Sequence, residues 1–229
     1  MNKQSILKQW AINCFSFLII LLLIFVLILQ SACSQPCTLT VEQAPEIRGF
    51  SLLMNVKEIQ AKHRNFPTPT TDEFGFARIV IVNNVNDLKK GEIRPFGATI
   101  VDGLNHPELK GINRIYLEII DSRIVQLKVI YSNDLKWSSV DEFVKKTAAN
   151  LGLNETWKNI NEDSKQLECN KLTINAGIKN DPYQFDNYEK QPFIELVSYN
   201  LYKEYELRKL NKNENVNRKE QERRDVFKP

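Results

Sequence analysis

Two apolar runs separated by a short polar turn are the feature that most constrains the fold of this 229-residue chain. Residues 112–120 and 124–131 alternate large apolar side chains with polar or aromatic ones, which is the two-residue period of a half-buried β-strand. Three polar residues, Asp121 to Arg123, join the runs and suit a three-residue hairpin turn. The sequence therefore predicts a β-hairpin over 112–131 as the strongest part of a sheet.

A capping box marks the first predicted helix. Asn55 can cap the helix and Glu58 stands three residues later, while Met54 and Ile59 are spaced to form a hydrophobic staple. These signals predict a helix over 55–64.

A second capping box begins at Ser139, with Glu142 three residues later. An apolar stripe follows and ends before Gly152, a residue typical of the position after a helix. We predict a helix over 139–151. Since strands follow both helices, the chain is also consistent with two tandem helix-plus-sheet units, although two independent capping boxes are common.

Alternating or β-branched segments elsewhere complete the sheet. Further strands are expected within 35–48, 74–85, 98–101, 167–178 and 193–201. Together these elements predict an α+β domain over 35–201, in which an antiparallel sheet of five or six strands packs against the two helices.

The segment 202–229 differs in composition from this domain. Lys and Arg alternate with Glu, Asn and Gln, and large apolar residues nearly vanish until Val226 and Phe227. Such a segment buries too little apolar area to fold alone. We expect a charged C-terminal extension that is either an exposed helix or a loose tail, with Phe227 as a docking anchor.

Residues 1–34 have the three parts of an export signal. Lys3 and Lys8 precede an apolar run at 15–29, and small residues follow at 31–34. A buried core helix is excluded as the explanation, because no long helix of a small soluble domain is apolar on every face. This segment is therefore expected to be a signal peptide or a membrane anchor, and the rest of the chain to be extracytoplasmic.

Three fates of this segment stay open. Cleavage before Gln35 would give a periplasmic or secreted domain. If residues 10–17 also enter the bilayer, the apolar stretch nears the roughly 20 residues that span it, and the segment stays as an anchor. Lipidation of Cys33 would make a lipoprotein, although Gln30 stands where a lipobox has Leu, Ile or Val.

Cys37 and Cys169 are the cysteines that surely belong to the mature domain. In an oxidising compartment they are expected to pair, and closing so long a loop stabilises a fold by about 4–5 kcal/mol. Two unpaired thiols are the alternative. The sequence has no Cys-x-x-Cys and no Cys/His cluster, so neither a zinc site nor another cofactor is expected.

The charge balance argues against nucleic acid as a partner. The formal net charge is +3, and Lys3 and Lys8 carry two of those charges. The mature part is therefore nearly neutral, whereas nucleic-acid binding depends on many phosphate contacts.

The sequence carries none of the common catalytic signatures, such as Gly-x-Ser-x-Gly, the P-loop or His-Glu-x-x-His. The least unfavourable pair is His106, in a loop, with Asp102 as the nearest acid. Glu118 and Asp121 form a second carboxylate pair of the kind glycosidases use, but a polar strand side and a turn explain them more simply. His63, at the end of the first helix, is interpreted as structural.

Two further groups of side chains suggest ligand binding. Scattered arginines can bind anions, although such residues are usually solvated: Arg48, Arg94, Arg114 and Arg123. An aromatic loop over 179–191 offers a surface for a small ligand through Tyr183, Phe185 and Tyr188.

The segment from Gly49 to Ile59 resembles the opening helix of SmpA/OmlA-type outer-membrane assembly lipoproteins and of the β-lactamase-inhibitor-protein-like fold. The matching residues are Gly49, Leu52, Met54, Glu58 and Ile59, with Leu53 in place of a second Gly and Asn55 in place of a Thr cap. The whole chain is similar to exported bacterial proteins without an assigned activity. The resemblance implies an extracytoplasmic address and an α+β fold.

Three function classes follow from these observations. The leading hypothesis is a non-enzymatic envelope or secreted protein that binds an envelope protein or supports envelope assembly, with membrane contact if the N-terminal segment is retained or lipidated. The rivals are an extracytoplasmic hydrolase using His106 and Asp102, and a small-ligand-binding domain.

Overall fold

The computed structural model describes residues 37–63, 65–82, 98–102, 109–134, 136–153, 156–180 and 190–226. The N-terminal segment, including the apolar run and Cys33, lies outside the described residues, so its predicted fates stay predictions. No helix in the described part of the chain is long and apolar enough to cross a membrane.

The described residues form three helices and an eight-stranded sheet, which confirms the α+β class. The helices are α1 (Val56–Lys62), α2 (Val140–Asn150) and α3 (Tyr199–Val226). The strands are β1 (Phe76–Val82), β2 (Ala98–Asp102), β3 (Ile112–Ile120), β4 (Arg123–Tyr131), β5 (Lys158–Asn161), β6 (Ser164–Glu168), β7 (Leu172–Asn180) and β8 (Lys190–Ser198).

The sheet has the strand order β2-β1-β3-β4-β8-β7-β6-β5. Each half of the chain supplies one helix followed by four strands, and the last strands of the two halves, β4 and β8, pair antiparallel at the centre. This order matches two helix-plus-sheet units. The edges differ, because β2 runs parallel to β1 whereas β5 runs antiparallel to β6.

The hairpin β3–β4 confirms the strongest sequence prediction. Its turn is shorter than expected, because Arg123 already pairs with Ile120 and leaves Asp121 and Ser122 as the two turn residues. Both have positive φ, 49° and 64°, which is the backbone of a type I′ turn that follows the twist of the strands.

One face of the sheet, here called the helix face, carries the main apolar core. Alternate residues of β3 and β4 on this face are fully buried, namely Ile115, Leu117, Ile119, Leu127 and Val129. Ile59 of α1 and Phe143 of α2 belong to the same cluster. The amphipathic stripes of both helices therefore pack onto one continuous core.

The opposite face, here called the second face, has two smaller apolar clusters. One contains Tyr116, Ile130 and Phe193, and the other contains Ile120 and Val125 beneath Tyr205 of α3. The C-terminal extension is thus helical, and its first turns pack on the second face. Phe227, its expected anchor, lies outside the described residues.

The prediction of five or six strands is wrong, because the sheet has eight. The expected strand at 167–178 is two strands, β6 and β7, separated by a reversal in which Lys171 has φ 63°. Strand β5 is exposed at every position and has no apolar alternation to reveal it. The segment expected to hold a strand at 35–48 instead contains a short 3-10 helix, Val41–Gln43.

Cys37 and Cys169 form a disulfide with their Cα atoms 4.6 Å apart. Both side chains pack against the helix-face core. The bond joins the first described residue to the end of β6, as the pairing prediction required.

Candidate functional site

A cavity of about 510 Å³ lies beside the helix-face core. Four stretches of chain form its walls: residues 46–48, the turn at 110–111, the end of β4 with its following turn, and α2. Ligand sites in proteins are commonly concave, largely apolar spaces of about 300–1,000 Å³ with a few polar groups.

Three aromatic rings form one side of this cavity. Phe143 of α2 contacts Tyr131 edge-to-face with centroids 6.0 Å apart, and Trp137 edge-to-face at 5.2 Å. Burial raises the pKa of the Tyr131 hydroxyl, and the nearby positive charge of Arg48 acts in the opposite direction. The aromatic side therefore offers apolar surface, mainly from Tyr131 and Trp137, together with a neutral phenol that can donate a hydrogen bond.

Three cations border the aromatic side: Arg48, Lys110 and Lys146. Lys146 lies 3.1 Å from Glu142 and also stands over the Trp137 ring at 5.2 Å. No ion pair joins Arg48 or Lys110 to another residue in the described ranges.

The acidic residues of the cavity are already engaged. Glu46 pairs with Lys62 at 3.0 Å, and Asp134 accepts a hydrogen bond of 2.7 Å from the Ser132 hydroxyl. The hydroxyl of Ser132 is neutral, so Asp134 keeps its negative charge. With the three cations Arg48, Lys110 and Lys146 against the two carboxylates Glu46 and Asp134, the lining has one more positive than negative side chain.

A tight turn positions Arg48. Ile47 and Phe50, which are buried, bridge to each other, and between them Arg48 and Gly49 have positive φ of 55° and 84°. A non-glycine residue in this region is strained by about 1–3 kcal/mol and persists only where its surroundings impose it. The buried flanks hold the turn, which places Arg48 at the cavity.

The N-terminus of α2 positions Lys146. Ser139 caps the helix by accepting a hydrogen bond from the Glu142 N–H, as predicted. Glu142 reaches back to Ser138 rather than to Ser139, through the Ser138 hydroxyl at 2.6 Å and N–H at 3.1 Å. These bonds and Lys146 lower the pKa of Glu142 to about 2, so a fixed anion holds Lys146 beside Trp137.

Several predicted site residues lie outside the described residues: Cys33, Arg94, His106, Tyr183, Phe185 and Tyr188. The backbone of Asp102 ends β2, where it pairs with Val82. The hydrolase hypothesis built on His106 and Asp102 therefore stays a prediction.

The other candidates have structural partners. Glu118 accepts a hydrogen bond of 2.9 Å from Arg78, and Asp121 is held by both guanidinium nitrogens of Arg208. The two carboxylates are thus engaged with different arginines. The ring of His63 stacks on Phe50 with centroids 4.7 Å apart, which agrees with a structural role.

Among the predicted arginines, Arg48 is the one that lines the cavity. Arg114 is buried on β3, and Arg123 is exposed at the hairpin turn. The sequence prediction missed the cavity itself, because its walls come from four separate segments spread over residues 46–151. The one local signal was an aromatic residue, Trp137, just before the capped helix.

The described lining of the cavity includes neither histidine nor cysteine, and its serine, Ser132, donates a hydrogen bond to Asp134. Within the described ranges, no three His, Cys, Asp or Glu side chains group closely enough to hold a metal ion. Aromatic surface and cations are the chemistry this cavity offers.

No protein-family model, curated protein or solved structure matches this chain.

Proposed function

We propose that this protein is an exported, non-enzymatic binding module of the cell envelope whose cavity takes a small organic anion with an aromatic or apolar body. The observation that carries the proposal is the aromatic side of Tyr131, Trp137 and Phe143 next to two cations, Arg48 and Lys110, on the same cavity lining. A flat apolar body would cover the rings, and its carboxylate or phosphate would face Arg48 and Lys110.

The chemistry of the cavity supports an acidic rather than a neutral ligand. A guanidinium recognises carboxylate or phosphate through two parallel N–H···O bonds, which are stronger than hydrogen bonds between neutral groups. Lys110 adds a second positive charge on the same border. A basic ligand would meet a lining in which cations outnumber carboxylates and would bind less well.

The extracytoplasmic part of the proposal depends on the N-terminal export signal and on the Cys37–Cys169 disulfide. Disulfides persist in oxidising compartments and are rare in the cytosol, so the bond supports the address that the signal predicts. Mass spectrometry of the mature N-terminus tests this part. A mature chain that begins at Gln35 supports cleavage, a lipidated Cys33 supports a lipoprotein, and a retained Met1 in a cytosolic fraction contradicts export.

Calorimetry with phenylacetate and its neutral isostere phenylacetamide tests the cavity. The two probes share shape and size and differ only in charge, so we expect phenylacetate to bind at least tenfold more tightly. Equal affinities, or no binding of either probe at millimolar concentration, would refute the proposal.

A matched pair of variants locates the binding. Arg48→Gln removes the cation at the cavity, and Arg123→Gln makes the same chemical change at an exposed turn. We expect the first variant to weaken phenylacetate about tenfold or more and to leave phenylacetamide unchanged. The second should bind both probes like the parent chain, and an equal loss in both variants would show that the anion binds elsewhere.

The sequence also predicts a protein partner. Such a partner would bind a surface other than this cavity, and helix α3 is the surface we propose for it.

A further inference from the structure

The helix α3 has two halves with different surroundings. In the first half, the Tyr205 hydroxyl donates to Asp72 at 3.0 Å, Arg208 pairs with Asp121, and Lys212 pairs with Glu73. From residue 213 to Asp225 every residue is exposed. At 1.5 Å per residue this distal half continues the helix for roughly 20 Å beyond its last contact with the sheet domain.

The contacts of the first half fall on one side of the helix. At 100° per residue, Tyr205, Arg208 and Lys212 occupy an arc of about 60°. Their partners on the sheet domain are acidic, and the proximity of Arg208 lowers the pKa of Asp121. A basic helix side thus meets an acidic patch within the chain itself.

The same helix side continues into the distal half. Lys219 and Arg223 fall within the arc that Tyr205, Arg208 and Lys212 define, and Val216 lies at its border. The acidic residues of α3 all lie outside this arc: Glu204, Glu206, Glu214, Glu220, Glu222 and Asp225. The distal half therefore presents a basic stripe, Lys219 and Arg223, on the helix side that meets the acidic patch in the first half. Glu222 and Glu220, three residues away from Lys219 and Arg223 along the helix, flank this stripe.

We propose that this basic stripe docks onto an acidic surface of a partner protein and extends the charge pairing that the first half makes with the sheet domain. The partner surface would repeat the chemistry of Asp72, Glu73 and Asp121, with carboxylates spaced along the helix side. This interaction is independent of the cavity, because no residue of α3 lines it.

The flanking charges favour a protein over a lipid surface. A membrane-bound helix needs an apolar side and uncompensated positive charge. The distal half has Val216 as its apolar residue on the basic side, and Glu220 and Glu222, which flank the stripe, would meet anionic lipid with the wrong sign. A protein can place its carboxylates against Lys219 and Arg223 alone, whereas an anionic lipid surface is negative throughout.

An interface of this kind is driven by charge, so its affinity should fall as ionic strength rises. The probe is a fluorescein-labelled helical peptide of 21 residues with glutamates at i, i+4 and i+7 positions. Its binding to the full chain in a non-ionic detergent is measured by anisotropy at 50 and 300 mM NaCl. We expect a fall in affinity of tenfold or more at the higher salt concentration.

Two double charge reversals separate the stripe from net charge. K219E/R223E reverses the stripe, whereas R218E/R224E makes the same change of net charge on other sides of α3. We expect the first variant to weaken peptide binding at least tenfold and the second to stay within threefold of the parent chain. Far-UV circular dichroism checks that both variants keep the helix.

Three outcomes would overturn the proposal. The first is no peptide binding at 50 mM NaCl. The second is an equal loss in both variants, which would mean attraction by net charge alone. The third is variant-dependent binding to phosphatidylglycerol in mixed micelles without variant-dependent binding to the peptide, which would identify an anionic lipid surface instead.

Discussion

The two faces of the sheet are built on different principles. The helix face carries one continuous apolar core, and its central side chains have no solvent exposure. The second face breaks its apolar clusters with a row of polar side chains that crosses the strands, in which Gln126 and Asn175 both donate to Glu195, at 2.7 and 3.0 Å. Gln166 extends the row by donating to Asn175 at 3.0 Å.

The two faces therefore contribute differently, one to overall stability and the other to strand register and the position of α3. Apolar burial on the helix face is not directional and supplies most of the stability. The polar row on the second face is directional, so it favours one strand register and one position of α3, whose Tyr202 hydroxyl donates to Gln126. We expect substitutions on the helix face to change stability most, and substitutions on the second face to change the order of α3.

Removing the disulfide, which packs against the helix-face core, should cause the largest loss of stability. For the double variant Cys37→Ser/Cys169→Ser, the chain-entropy estimate for a bond of sequence separation 132 is about 5 kcal/mol. Urea unfolding of the variant and of the parent chain measures the loss. Reductant should destabilise the parent by a similar amount and leave the variant unchanged, and a loss below about 1 kcal/mol would contradict the estimate.

Neighbouring isoleucines compare the two faces directly. Ile119 and Ile120 are both fully buried on β3, but Ile119 faces the helix-face core and Ile120 lies beneath Tyr205 of α3. We expect Ile119→Ala to cost about 4 kcal/mol, because a closed core leaves a cavity, and Ile120→Ala about 2–3 kcal/mol, because α3 can settle into the space. Urea unfolding gives both values, and a larger loss at Ile120 would reverse the comparison.

The polar row should contribute less to the free energy of unfolding than the disulfide or the buried isoleucines. Glu195→Gln keeps the shape of the side chain but turns an amide N–H₂ toward one of its two amide donors, so about 1–2 kcal/mol should be lost. Glu214→Gln, the same change on the exposed distal half of α3, serves as the control and should have no effect. If both variants unfold at the same urea concentration as the parent, the row is not a stabilising network.

The smallest expected effect is the loss of stability at acidic pH. The hydrogen bonds and charge of Arg208 lower the pKa of Asp121. For Asp72, burial raises the pKa, but hydrogen bonds from the Phe76 and Phe74 N–H groups and from Tyr205 outweigh burial, so the net effect is a lower pKa. A carboxyl whose pKa is lower in the folded state stabilises above its unfolded pKa of about 3.9, and this stabilisation is lost as the pH falls through the folded value.

Attachment of α3 should therefore weaken below about pH 4, by under about 1 kcal/mol for the partly exposed Asp121 pair. Urea unfolding at pH 5 and pH 3 measures the dependence. Asp121→Asn should reduce it, and Asp225→Asn on the distal half of α3 should not. An unchanged pH dependence in the first variant would exclude Asp121 as a source.

Local chemistry explains what the sequence could predict. The alternation over 112–131 and the Asp121 turn predicted the hairpin boundaries to within one residue. The capping box of Asn55 and Glu58 also exists as predicted. Asn55 accepts a hydrogen bond from the Lys57 N–H at 2.9 Å, and Glu58 accepts one from the Asn55 N–H at 3.0 Å. In each case neighbouring residues decide the outcome. The same is true of Gly152, whose φ of 69° ends α2.

Non-local contacts explain what it could not. Strand β5 has no apolar residue facing a core and exists by pairing with β6. The C-terminal segment has few apolar residues, and tertiary contacts such as the pair of Arg208 with Asp121 fix its first turns. The cavity needs Arg48, Lys110 and Trp137 to meet across the fold, which no local pattern encodes.

The disulfide also determines how the molecule would carry a mechanical load. If residues 1–36 hold the chain at a membrane and a partner pulls on α3, tension passes from Cys37 through the sulfur bridge to Cys169, and then along β7 and β8 into the helix. Residues 38–168 lie outside this path, and they include every wall of the cavity. Under such a load the disulfide would carry the force, and the cavity walls would lie off the shortest covalent path.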